Sequence, residues 1–131
     1  MTNGVAVERT PADLTVSLPL DADAPRAARH HVARVDSPSP DLRDAVVLLT
    51  SELISQAVYR CHFAGVTFDL RAWMPPDIVR VEISLPKTFL DLGWSDYESD
   101  LGTLVLRNLA DRLWVGSQEH LARMWFEIDR R

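Results

Sequence analysis

Val66-Thr67-Phe68-Asp69-Leu70-Arg71-Ala72-Trp73, then Met74-Pro75-Pro76-Asp77, then Ile78-Val79-Arg80-Val81-Glu82-Ile83-Ser84-Leu85: the fold turns on this stretch. Both outer runs alternate apolar and polar residues, the period at which a pleated strand sends side chains to opposite faces. The two prolines and Asp77 between them interrupt the pattern and reverse the chain. Two alternating runs joined by a short breaker predict an antiparallel hairpin.

Moving back towards the N-terminus, Asp41 opens a long helix. Leu42, Ala45, Val46, Leu49, Leu53, Ala57 and Val58 recur at spacings of three and four, so one stripe is buried. The helix is expected to end at His62 or Phe63, ahead of Gly65. Ser37-Pro38-Ser39-Pro40 breaks the chain before it. A shorter helix precedes that break, capped by Asp23, with Pro25 in its early turn and Ala27, Ala28, His31 and Val32 along it. Leu14-Thr15-Val16-Ser17-Leu18 alternates as a strand, and Pro19 limits further ladder bonding. Residues 1–13 read as a loose, flexible lead-in.

Moving towards the C-terminus, Pro86 to Asp100 reads as a linker carrying Asp91, Asp96, Glu98 and Asp100. A helix is expected from about Leu101 to Leu113, with Leu104, Val105, Leu109 and Leu113 on its apolar face. A second hairpin closes the chain, Trp114-Val115-Gly116-Ser117 turning into Ala122-Arg123-Met124-Trp125-Phe126-Glu127-Ile128. The expected class is α+β: one domain over residues 14–131, a two-layer sandwich of a mixed, mainly antiparallel sheet with helices on one face.

Composition narrows the function. A chain of 131 residues fits one domain, and 47% hydrophobic with 25% charged residues is ordinary for a globular protein. The net charge of −5 argues against a general nucleic-acid binder, which needs clustered cations to displace counterions from phosphates. Cys61 is the single cysteine, so an internal disulfide and a multi-cysteine metal site are both excluded. Adjacent side chains on a helix point about 100° apart, so His30 and His31 do not converge, and with His62 and His120 they make no metal site by spacing. No basic start followed by an apolar run marks a secretion signal, and no apolar stretch reaches the roughly 18–20 residues that span a bilayer. The expectation is a cytoplasmic protein with no membrane association. Trp94, set in the polar linker, would mark a contact site if exposed.

In order and spacing, four fragments resemble the anti-sigma-factor serine kinases of the GHKL ATPase superfamily, whose nucleotide site is built on the Bergerat fold. They are Leu18-Pro19 with Ala24-Pro25-Arg26-Ala27-Ala28-Arg29; Ser51-Glu52-Leu53-Ile54; Leu109-Ala110-Asp111; and Met124-Trp125-Phe126-Glu127-Ile128. The resemblance covers roughly residues 18–129. It implies a long helix carrying a general base and, four residues later, an Asn that holds Mg²⁺. Glu52 matches the base, and Gln56 occupies the metal-binding place with Arg60 one turn on. Gln keeps the amide but moves its oxygen outward by roughly 1.5 Å, which a near-octahedral Mg²⁺ shell tolerates poorly.

The resemblance further implies an Asp that accepts a hydrogen bond from the adenine amino group, and Leu85 stands there, followed by Pro86. A paired-glycine approach to the last helix would cradle phosphate, and here Gly102 remains while Asp100 replaces its companion. Arg123 stands where the family often has a small hydroxyl residue facing the phosphates.

Two functional readings follow from the resemblance. In the first, the departures at Gln56, Leu85, Asp100 and Arg123 mean that ATP binding is lost or weakened. The protein is then a non-catalytic partner-switching regulator that binds a sigma factor or an anti-sigma-factor antagonist, with no cofactor. In the second, it is a working serine/threonine kinase that uses Mg-ATP through Glu52, Gln56 and Gly102. Pairing into a homodimer is compatible with the family. Read without the resemblance, Glu52 and Gln56 are solvated helix residues, and the remodelled pocket, made more apolar by Leu85 and Pro86, could take a different small ligand.

Overall fold

In the computed structural model, which describes residues 11–35, 40–60, 65–86 and 108–130, the central hairpin sits as its alternation predicts. Strands β2 (Thr67–Trp73) and β3 (Ile78–Pro86) pair antiparallel, Leu70 opposite Ile83 and Ala72 opposite Val81. Strand β1 (Leu14–Pro19) lies beside β2, with Val16 opposite Leu70. Strands β4 (Arg112–Gln118) and β5 (Leu121–Asp129) form the second hairpin, and β5 docks on β3. The sheet order is β1-β2-β3-β5-β4.

All four pairings are antiparallel, where a mixed sheet was expected. The connection from β1 to β2 explains part of this. It contains two helices, α1 (Ala24–Ala33) and α2 (Pro40–Arg60). Each reverses the chain, so β2 returns antiparallel to β1.

Helix α1 starts without the predicted side-chain cap. Asp23 occupies the N-cap but makes no capping hydrogen bond, and its own N–H donates to Asp21 Oδ1 at 2.9 Å. Pro25 lies in the first turn, where its missing N–H costs nothing. Ala24, Ala28 and Val32 face inward at spacings of four, and such small residues let α1 approach α2 closely. Helix α2 buries Val46, Leu49, Leu53 and Ala57 as expected, and Thr50 and Ile54 as well. That broader stripe reflects two neighbours, α1 and the sheet, where a surface helix would have one.

The core lies between the helices and one sheet face. Phe68, Leu70 and Ala72 of β2, Val79, Val81, Ile83 and Leu85 of β3, and Ala122, Met124, Phe126 and Ile128 of β5 supply the sheet side. Full burial of side chains such as Leu49, Leu53 and Phe126 stabilises by roughly 1.5–3 kcal/mol each.

The last helix is shorter at its C-terminal end than expected. Helical backbone stops at Leu109, and Arg112 already pairs with Glu127 in the sheet. Leu113, assigned from the sequence to the helix, is a strand residue opposite Phe126, packed with Val115 against the core. The apolar spacing Leu109–Leu113 fits a helical turn, but the alternation Leu113, Val115 fits a strand, and pairing with β5 decides between them. Asp111 marks the boundary, its carboxylate accepting from Asp129 N at 2.7 Å. The earlier part of that predicted helix, the acidic linker with Trp94, and Cys61 and His62 lie outside the described residues.

Candidate functional site

Helix α2 offers two margins beside its buried stripe. At about 100° per residue, Glu52 and Gln56 fall on one margin, while Val47 and Ser51 fall on the other, which borders α1. Both residues of the Glu52–Gln56 pair are half-buried. The Oε1 of Gln56 is buried and accepts no hydrogen bond from the described residues.

Leu85, at the place of the adenine-binding Asp, is 1% exposed in the main core cluster and sits opposite Ala122. Arg123 sits opposite Ser84 and so faces the other side of the sheet. There it reaches Glu119 at 3.1 Å and Glu82 at 4.0 Å. The structure therefore brings Leu85 to the helix-covered face and sends Arg123 to the opposite one. Gly102 lies outside the described residues. Arg60 closes α2, and its side chain lies outside them as well.

At two of these positions the described residues do not fit Mg-ATP: Leu85 has no acceptor for a base, and Arg123 is on the opposite side of the sheet from α2. Glu52 and Gln56 keep oxygens on their margin of α2. Among the described residues, no group of three or more His, Cys, Asp or Glu side chains is placed to hold a metal ion. No helix among them is long and apolar enough to cross a membrane.

The sheet face turned away from the helices carries a charged layer that the alternation of β3 only hinted at. Arg80, Glu82 and Glu127 are each no more than 1% exposed. Arg80 donates to Glu82 and to Glu127, at 3.3 Å each. Arg71 pairs with Glu82 from β2. From β4, Arg112 reaches Glu127 at 2.6 Å and Asp129 at 2.5 Å. The hydrogen bonds that Arg112 donates to Asp129 and then to Glu127 raise its pKa still further, holding its charge.

Aromatic rings roof this layer. The Arg80 guanidinium lies 4.2 Å from the Trp125 ring centre and 5.7 Å from that of Trp73. Trp114 stacks on Trp125 at 6.4 Å between centroids. Gly116 makes room for that stack, because a Cβ there would lie 2.7 Å from the Trp114 ring. Alternating signs neutralise one another across these strands, so this face is a structural layer and presents no single-sign field to a partner.

Between α1 and α2 a groove of about 670 Å³ opens to solvent, lined by Arg26, Arg29, His30 and His31 with Asp23, Ala27, Ala33 and Val47. Arg29 Nη1 donates to Ser51 Oγ at 3.0 Å, which fixes the guanidinium across the helix pair. Arg26, Ala27 and Arg29 belong to a fragment of the resemblance, which gives this groove no role. The repeat Arg26, Arg29, His30 places three basic side chains on one helix face at spacings of three and four, a signal present in the sequence.

The chain matches no family model and no curated protein.

Proposed function

We propose that this chain is a regulatory protein-binding module on a Bergerat-type scaffold, resembling the anti-sigma-factor serine kinases but working without ATP turnover. The observation that carries this reading is the burial of Leu85. Where a nucleotide site needs an exposed acceptor, the side chain is apolar and sealed into the core. Arg123, engaged with Glu82 and Glu119 on the far sheet face, adds to the same reading. An intact framework without a nucleotide wall leaves binding as the function, and the resemblance supplies the partner class, a sigma factor or an anti-sigma-factor antagonist.

Calorimetric titration with MgATP and MgADP, up to millimolar nucleotide, tests this. The expected outcome is no heat and an unchanged melting temperature. Binding at micromolar strength would overturn it.

One observation favours the second reading, a serine/threonine kinase using Glu52 as base. The buried Oε1 of Gln56 accepts no hydrogen bond from the described residues and so is available to a cation or a donor. If that reading holds, the same titration gives saturable heat that Gln56→Leu abolishes.

A further inference from the structure

We infer that the groove between α1 and α2 is a docking site for an acidic, amphipathic peptide segment of a protein partner. The inference rests on the protein-binding reading above and adds to it the surface and the partner chemistry.

Three observations carry it. First, the groove gathers cationic side chains on a chain whose net charge is −5. Arg26 and Arg29 lie on one face of α1, His30 lies beside them, and His31 borders the same hollow. Asp23 is the single carboxylate among the described lining residues. Among the described residues, no carboxylate lies within ion-pair distance of Arg26 or Arg29.

Second, Arg29 is pre-positioned. Its hydrogen bond to Ser51 holds one nitrogen against α2, and the rest of the fork is left to meet a carboxylate. A guanidinium already fixed loses less side-chain entropy when it binds.

Third, apolar side chains line the groove beside the basic ones, half-buried Ala27 and Val47 together with Ala33. Basic and apolar side chains side by side match a segment carrying both carboxylates and aliphatic side chains. RNA would gain from the arginines but would be repelled by the acidic remainder of the chain.

The groove also lies on a different margin of α2 from Glu52 and Gln56. Val47 and Ser51 are on the margin of α2 facing away from Glu52 and Gln56, so the two surfaces can be altered independently.

The test uses the full chain and a short fluorescein-labelled peptide of alternating Glu and Leu, read by fluorescence anisotropy. Its controls are the same peptide with Gln for Glu and a single-stranded RNA of matching length. The acidic peptide is expected to bind saturably and the Gln peptide at least about tenfold more weakly. Arg26→Gln with Arg29→Gln should weaken the acidic peptide about tenfold while leaving the melting temperature unchanged, since both side chains are exposed. Ser51→Ala should weaken it by a smaller factor, and Glu52→Gln should leave it unchanged.

Equal binding of the two peptides, unaltered binding by the double variant, or preferential binding of RNA would each overturn the inference. Each of those results would leave the nucleotide titration untouched. Conversely, MgATP binding would overturn the proposed function without changing the anisotropy result.

Discussion

At the residue scale, the most consequential side chain for stability is Glu82. It is fully buried and lies within reach of Arg71, Arg80 and Arg123. Replacing an entire buried ion network by apolar residues can be neutral, but removing one partner leaves the others desolvated without compensation. Glu82→Leu removes the carboxylate that faces both Arg80 and Arg71. We expect a loss of about 3 kcal/mol, or roughly 10 °C in melting temperature for a domain of this size. Thermal unfolding followed by circular dichroism checks it. A variant as stable as the parent would mean that the Trp73–Arg80–Trp125 stack, and not the ion pairs, holds this layer. In the sequence Glu82 was only the polar member of an alternating strand. Alternation tells which face a residue takes, but not whether aromatic side chains from neighbouring strands will roof that face.

At the element scale, the two hairpins and the long helix were legible because period-two and period-3.6 patterns are local. The boundary of the last helix was not, because Leu109 and Leu113 satisfy a helical spacing while only pairing with Phe126 shows that Leu113 belongs to β4. The turn between β4 and β5 was legible as short but not in its strain. Gln118 pairs with Leu121, so Glu119 and His120 make a two-residue loop, and both adopt positive φ, 54° and 66°. Those angles suit the mirror-image turn that matches strand twist, which normally takes Asn-Gly. A residue with a Cβ costs about 1 kcal/mol in that region. His120→Gly removes the penalty at one position and keeps the Glu119–Arg123 contact. The expected gain is about 0.5–1 kcal/mol, read as a rise of a few degrees in melting temperature. A fall would show that the His120 side chain contributes more than its backbone strain costs.

At the scale of the whole molecule, the α+β class and the single-sided helix layer followed from element order alone. The site was less legible, because its residues come from distant parts of the chain and only the sheet register decides which of them share a face. Leu85 and Arg123 stand in neighbouring strands but on opposite faces, and motif order alone gives no sign of this. The groove was missed for a related reason: Arg26 and Arg29 become a feature only when α2 brings Val47 and Ser51 against them. Whether the scaffold still holds a dormant nucleotide site can be asked of the whole fold by restoring Gln56→Asn together with Leu85→Asp. An Asp at position 85 enters a core position that is 1% exposed and lowers stability by several kcal/mol in the absence of ligand. A nucleotide that binds only the folded state then raises the melting temperature by mass action, by about 2.7 kcal/mol in free energy at a hundredfold excess over its Kd. If the chain descends from an ATP-binding fold and has lost the ligand, MgATP should restore part of the stability of the double variant and leave the parent unchanged. A parent that is itself stabilised by MgATP would identify a working nucleotide site. A double variant that is destabilised and indifferent to MgATP would confine the resemblance to the scaffold.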